Sequence, residues 1–338
     1  MMESELASDR KYEPKKTPAD WKGVDLSDST DWIHQLSSDE VLELESALSY
    51  AKSRGLSGTQ LTVDDFPLPT LARVLDELAT ELVEGRGFKL LRGFPVLDHS
   101  KEDASTIFWG IGTHIGKAWP QDQAGELLGD IRDEGIEITP TNTIRGYQTR
   151  ITLPFHTDRA DFVCLLCLRK AKSGGLSSIV SSVGCHNEMA IKRPDLLDRL
   201  YEPFYYDMRG EHPEGGKPFY PAPIFTEHKG RLFNRYVRGY ITAAQRFDDV
   251  PKLSERDIES LDYLDNLMND PDMHLSMDLQ PGDMQFVNNY TVFHARTEFD
   301  DYEELDRKRH LKRLWLTTDH MPDRPAAFVL TSKNRGLV

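Results

Sequence analysis

From about residue 127 the apolar residues of this chain stop recurring at every third and fourth position. They fall instead into short runs separated by turn-forming residues. The runs 127–131, 148–153, 162–168 and 178–182 come first, and 274–279, 284–287, 291–295 and 310–317 follow later. Short strands bounded by turns bury a face only against another sheet, so the pattern predicts a sandwich or barrel. Upstream the period is helical. Ser37, with Glu40 three residues on, offers a capping box ahead of Val41, Leu44, Leu48 and Ala51. A second helix is expected over 70–84, a strand over 87–94, and a third helix after Ser100. Helical spacing returns between the two groups of strands, at 182–200 and 254–269. The fold class predicted is mainly β with surrounding helices.

With 29% charged and 38% hydrophobic residues, the chain of 338 residues reads as soluble and globular. Its net charge of −15 opposes binding to phosphate backbones, so nucleic acid is excluded as a partner. No apolar run approaches the roughly 20 residues that span a bilayer, and no membrane association is expected. Residues 1–20 are polar and read as a mobile N-terminal tail. No repeat, low-complexity tract or linker divides residues 21–338, which predicts a single domain with a helical N-terminal region over about 36–115. Three cysteines do not make a disulfide framework. Cys164 and Cys167 sit at i and i+3 of a strand, where their thiols diverge. Two buried structural cysteines fit a reducing, cytoplasmic location.

The chemistry concentrates at three places. His156 and Asp158 are two residues apart at the end of an extended run, so an imidazole and a carboxylate share one face. His294 lies in a second apolar run, after Met284–Gln285–Phe286–Val287 and an Asn288–Asn289 pair that reads as the turn of a hairpin. Two imidazoles and one carboxylate on one side of a cation are the donor set of non-haem Fe(II) oxygenases. Arg309 and Arg313 share a strand face with Leu311 and Trp315. Two guanidiniums there are costly to bury unless each meets an anion, and a planar fork suits a carboxylate.

His156–Thr157–Asp158, Gly174–Gly175–Leu176–Ser177, the segment from Pro281–Gly282–Asp283 to His294–Ala295–Arg296, and Arg309–His310–Leu311–Lys312–Arg313 together resemble the taurine dioxygenase family, relatives of clavaminate synthase. The resemblance covers roughly residues 87–318. It implies a double-stranded β-helix (jelly-roll) core over about 87–318, with a largely helical insertion over about 182–270 between the metal-ligand motifs. It also implies a dioxygenase that takes Fe(II), O2 and 2-oxoglutarate and releases succinate and CO2. His156, Asp158 and His294 would then hold the iron. Arg309 would grip the distal carboxylate of 2-oxoglutarate with Ser177, although Ser178 is an alternative because the family's Gly-Gly-Asp-Thr is Gly-Gly-Leu-Ser here. Arg313 matches a position that meets the substrate's acidic group, and Arg159, next to Asp158, is a candidate to line the pocket. A carboxylate at Asp158 favours hydroxylation, desaturation or cyclisation over halogenation. The expected substrate is a small, carboxylate-bearing molecule, and a homo-oligomer is compatible with the sequence. Two other classes remain open from the residues: a zinc-type hydrolase using the same triad, and a non-catalytic jelly-roll sensor or binding protein.

Overall fold

The computed structural model describes residues 12–135, 146–212, 215–321, 323–325 and 328. Helices α1 (Ser38–Ser53), α2 (Leu71–Glu84) and α3 (Lys101–Ile115) form where the sequence predicts them. The Ser37 hydroxyl accepts the Glu40 N–H, and the Glu40 carboxylate accepts the Ser37 N–H, closing the capping box. Ser100 accepts the Asp103 N–H at the head of α3. Such caps satisfy donors that the first helical turn leaves orphaned.

Strands are numbered along the chain. Seven of them make a major sheet in the order β1 (Ile33–Gln35), β2 (Phe88–Arg92), β14 (Met284–Asn288), β6 (Phe162–Arg169), β17 (His310–Thr317) and β3 (Lys117–Ala118), with β4 (Leu128–Ile131) also on β17. A minor sheet has the order β13 (His274–Met277), β8 (Ser177–Ser181), β15 (Val292–Arg296) and β5 (Leu153–His156). Beside it, β7 (Ser173–Gly174) pairs with β16 (Phe299–Asp300).

Alternation along the strands builds the layers. Cys164, Leu166, Met284, Phe286, Leu314 and Leu316 face the three helices. Val163, Cys167, Val287, Leu311 and Trp315 face the minor sheet, where Ile179, Leu275, Met277 and Val292 meet them. Each such side chain contributes about 1.5–3 kcal/mol of hydrophobic stabilisation. The outer face of the minor sheet, with Phe155, Val180 and Phe293, packs on the insertion. This is the jelly-roll core with surrounding helices. Cys164 and Cys167 lie in different cores, as their spacing predicts, and burial pushes both thiols up, Cys167 to about 12. The turn into β14 needs glycine: Gly282 has φ +92°, and a Cβ there would lie 1.9 Å from the Phe94 carbonyl oxygen.

Four expectations need correction. Strands β14 and β15 are not a hairpin: β14 pairs with β2 and β6, and β15 with β8 and β5. Asn288 and Asn289 instead carry the chain from one sheet to the other, where Asn288 donates to the Leu82 carbonyl and Asn289 to the Ala160 carbonyl. The run 148–153 is not a strand. A 3-10 turn, Gly146–Gln148, precedes β5 (Leu153–His156), which places the strand directly before the His–x–Asp motif. The insertion holds helices α4 (Ser182–Lys192), α5 (Pro194–Leu200), α6 (Arg238–Ala244) and α7 (Glu255–Asn269), but also two hairpins. These are β9 (Phe204–Asp207) with β10 (Phe219–Ala222), and β11 (Phe225–His228) with β12 (Arg231–Asn234). Finally, the described part of the segment read as a tail, residues 12–20, is packed. Tyr12 stacks on Tyr201 at 4.6 Å and donates to Asp198, and Asn187 holds Lys15 through its backbone. Residues 1–11 lie outside the described residues. No described helix is long and apolar enough to cross a membrane.

Candidate active site

Strands β5 and β15 are antiparallel neighbours, and His156 and His294 are directly opposed in their register. Opposed residues project from the same face, which brings the two imidazole centroids to 4.3 Å. Asp158 follows just beyond β5. Its carboxylate oxygens lie 3.9 Å from His156 Nε2 and 3.6 Å from His294 Nε2. Among the described residues these three side chains are the one His/Cys/Asp/Glu cluster able to hold a metal ion, with ligand atoms all within 4.8 Å of one another.

The surroundings fix these groups in ligating form. His156 Nδ1 lies 2.8 Å from the Pro154 carbonyl, so it carries the proton and leaves the Nε2 lone pair facing the cluster. Burial lowers the His156 pKa to about 4, helped by the neighbouring His294, so the ring is neutral at pH 7. Burial alone would raise the Asp158 carboxyl. The His294 imidazole and the Arg313 guanidinium outweigh it and hold Asp158 well below the usual carboxylate range. Trp315 Nε1 donates to one Asp158 oxygen at 3.0 Å, and the Asp158 N–H donates to Asn289 Oδ1 at 3.0 Å. Thr157 is bracketed by Tyr236, its N–H donating to the Tyr236 carbonyl and its hydroxyl accepting the Tyr236 N–H. Two imidazoles and an ionised carboxylate, gathered on one side, fit a divalent first-row metal with positions left open.

Arg313 and Trp315 face inward from β17, as their alternation predicts. The Arg313 guanidinium stands 4.4 Å from the Tyr147 ring and 4.9 Å from the Trp315 ring, and its Nε donates to Gln121 Oε1 at 2.6 Å. Its neighbours His310 and Lys312 point to the other face and are buried on Asp130, so this strand is not a solvated edge. Arg309, at the strand entrance, is 5% exposed, and its Nη1 is buried without a hydrogen-bond partner. Gly175 makes room for it: φ there is +70°, and a Cβ would meet Arg309 Nε at 3.0 Å.

The register separates the two serines. Ser177 opposes Arg296 and shares the face of His294, whereas Ser178 opposes Ala295 and points the other way, onto Ser276 Oγ at 2.8 Å. The Ser177 hydroxyl donates across the sandwich to Gln285 Oε1 at 2.8 Å. Arg159 lies 5.2 Å from the Tyr220 ring of the insertion, and Arg235, whose Nε donates to the Tyr220 hydroxyl, is close enough to lower its pKa after burial has done so. Arg145, another cation near the motifs, lies outside the described residues.

Sequence reasoning left several side chains here without a role. Arg296 is two positions beyond His294, so period two alone puts it on the ligand face. Its guanidinium lies 4.8 Å from the Phe299 ring, and Arg309 lies 5.1 Å from the same ring. Burial lowers the Arg296 pKa to about 10, with Arg309 adding to the effect. Gln121, Tyr147 and Tyr220 come from loops and the insertion, and no local pattern marks them.

The family model of the taurine catabolism dioxygenases, TauD/TfdA, matches residues 52–315. This chain belongs to that family. The oxygenase is 32% identical over 308 residues to FR-33289 synthase from Streptomyces rubellomurinus, covering 89% of each chain. Its fold matches an asparagine oxygenase solved with Fe(II), 2S,3S-3-hydroxyasparagine and succinate, with a TM-score of 0.66 and 17% identity over 87% of this chain and 97% of that one. It also matches the non-haem iron oxygenase OrfP solved with Fe and alpha-ketoglutaric acid, with a TM-score of 0.62 and 18% identity over 85% and 94% of the two chains. The oxygenase is therefore a non-haem enzyme that uses Fe(II), 2-oxoglutarate and O2. The zinc hydrolase and sensor readings are set aside.

Proposed function

We propose that this oxygenase oxidises a small acidic organic molecule, by hydroxylation, desaturation or cyclisation, within a single domain spanning about residues 21–338. His156 and His294 would supply imidazole nitrogens to the metal, and Asp158 the carboxylate oxygen that Trp315 leaves available. Fe(II) held by them would supply the O2 chemistry by which substrate oxidation is coupled to conversion of 2-oxoglutarate to succinate and CO2.

The protein's own groups supply position and charge. Arg309, with an orphaned Nη1 and the Ser177 hydroxyl on the same inward side of the sandwich, suits the distal carboxylate of 2-oxoglutarate. Arg313 acts nearer the metal, since its charge is felt by both His156 and Asp158. That position suits an acidic group on the substrate, held above the Tyr147 and Trp315 rings. Arg159, on Tyr220, would line the far side of the pocket. The substrates named with the structural neighbours are small amino-acid derivatives, which supports a substrate of that size. Three reduced, deeply buried cysteines support a cytoplasmic location.

The observation that carries this reading is the cross-strand pairing of His156 with His294 beside a carboxylate whose charge is locked on. Anaerobic addition of Fe(II) and 2-oxoglutarate should produce a weak visible charge-transfer band. Succinate release across a panel of amino acids, sulfonates and aryloxy acids then identifies the substrate class. Failure of the band to form would overturn the assignment of the site.

A further inference from the structure

Two buried guanidiniums, not one, stand against the Phe299 ring. Arg296 is 5% exposed, and both its Nε and its Nη1 are buried without a hydrogen-bond partner. Its remaining nitrogen, Nη2, donates to the Ile151 carbonyl. Arg309 is equally buried and also keeps an orphaned Nη1. Both cations stand against one ring, Phe299, which is 2% exposed. Among the described residues, no carboxylate comes within ion-pair distance of either. Asp301 accepts the Arg309 backbone N–H at 2.8 Å, and its other oxygen is itself without a partner.

Like charges buried together repel, and each orphaned donor carries a desolvation penalty. Beyond the Ile151 carbonyl, the Arg296 guanidinium meets no backbone acceptor among the described residues, so its Nε and Nη1 stay unpaired. The local backbone holds the arrangement in place: the Thr297 N–H donates to the Leu176 carbonyl, and the Leu176 N–H to the Thr297 hydroxyl. These bonds zip the strand carrying Arg296 to the strand carrying Ser177, which opposes Arg296 in register. A compact anion between the two guanidiniums would satisfy the donors and cancel the repulsion. A carboxylate is the group of that size and charge which the reaction itself supplies.

We propose that Arg296 is a second guanidinium of the 2-oxoglutarate site, sharing the distal carboxylate with Arg309 and Ser177. This rests on the assignment of Arg309 to that carboxylate. It assigns the residue two positions after the second histidine ligand a binding role distinct from packing. It also ties the ligand strand to the cosubstrate at both ends, through iron at His294 and through the distal carboxylate at Arg296.

The test compares 2-oxoglutarate with 2-oxobutanoate, which keeps the metal-chelating end and lacks the distal carboxylate. Affinities are read anaerobically from the visible band with Fe(II) bound, with no turnover involved. Arg296→Met should weaken 2-oxoglutarate about 10-fold and leave 2-oxobutanoate unchanged, so the preference between them falls about 10-fold. Arg309→Met should reduce the preference further, and the double variant should abolish it. Arg296→Gln, which keeps a donor for the Ile151 carbonyl, serves as the second variant if the methionine form does not fold. A wild-type preference in a folded Arg296 variant, or equal weakening of both ketoacids, would overturn the proposal and leave Arg296 a packing residue. If Arg309→Met also keeps the wild-type preference, the underlying assignment of Arg309 falls with it. Loss in Arg309→Met alone would overturn only the role of Arg296.

Discussion

The two ends of the arginine-bearing pocket are prepared differently. At the metal end, Arg313 is already provided for: Gln121 accepts from its Nε, and the rings of Tyr147 and Trp315 flank its plane. At the far end, Arg309 and Arg296 are as deeply buried but keep orphaned donors around Phe299. A buried donor left unsatisfied costs about 1–3 kcal/mol. The far end thus offers buried donors for an anion to take, whereas the near end already commits one donor inside the protein. An obligate cosubstrate suits the first condition. A substrate that binds later, and is exchanged for product each cycle, suits the second.

The largest effect expected lies outside both arginine sites, at the metal on which both depend. Replacing His156 or His294 with alanine removes one of three ligands. Loss of an outer-shell partner typically costs 10–100-fold in metal affinity or activity, so loss of a ligand should cost more than ~100-fold in turnover. Iron retained after gel filtration, measured by elemental analysis, should fall with it while circular dichroism stays unchanged. Wild-type iron content in both variants would move the metal elsewhere and dissolve the comparison.

Next in size is Arg309→Ala. Removing a charge-assisted bidentate contact and leaving a carboxylate unpaired costs roughly 2–5 kcal/mol, or about 30-fold or more in affinity for 2-oxoglutarate. Arg313→Ala should leave that affinity within about threefold, because Arg313 stands beside the metal cluster rather than beside Arg309. It should instead weaken the prime substrate about 10-fold and uncouple succinate release from product formation. Equal losses of 2-oxoglutarate affinity in the two variants would break the distinction between the ends.

The smallest effect sharpens the comparison. Ser177→Ala removes one hydrogen bond to a carboxylate. Such bonds are worth roughly 1.5–3 kcal/mol, and this one lies at the low end because Gln285 competes for the hydroxyl. Affinity for 2-oxoglutarate should therefore fall by up to about 10-fold. Ser178→Ala should leave it unchanged, since Ser178 faces Ser276 on the opposite side of the sheet. Anaerobic titration of both variants checks this, and the reverse pattern would mean that Ser178, not Ser177, faces the cosubstrate.

Much of this arrangement is legible in the chain. Capping residues and helical spacing place α1 to α3, and period two places His294 with Arg296 and Arg313 with Trp315. Those are local rules, valid wherever the segment lies. They do not reach Asp158, which lies beyond β5, or Arg309, which precedes β17 and its register shift between His310 and Leu311. The connection at Asn288–Asn289 is not legible, because a pair of asparagines after a strand looks the same whether it closes a hairpin or crosses between sheets. What decides is whether β15 finds β8 and β5, and those lie more than 100 residues upstream. The hairpins of the insertion were signalled by Phe204–Tyr205–Tyr206, a run with high strand propensity, but flanking helices masked the signal. Gln121 reaches Arg313 through tertiary contact alone. Arg296 was legible by alternation. It passed unread because a cation beside a ligand histidine suggests no role until its partners, or the lack of them, are visible.

The crossing at Asn288 and Asn289 has a mechanical consequence. Asn288 Nδ2 donates to the Leu82 carbonyl at the end of α2, and Asn289 holds the Asp158 N–H on one side and the Ala160 carbonyl on the other. The carboxylate proposed as the third metal ligand is therefore anchored by a residue that belongs to the seam between sheets, while Trp315 of the major sheet donates to the same carboxylate. Both histidines ride on the minor sheet. The proposed metal site would be a latch across the sandwich, complete only when the two halves are seated on each other. Iron occupancy would then gauge closure: denaturant too dilute to melt either sheet, yet sufficient to let them slip, should release the metal first.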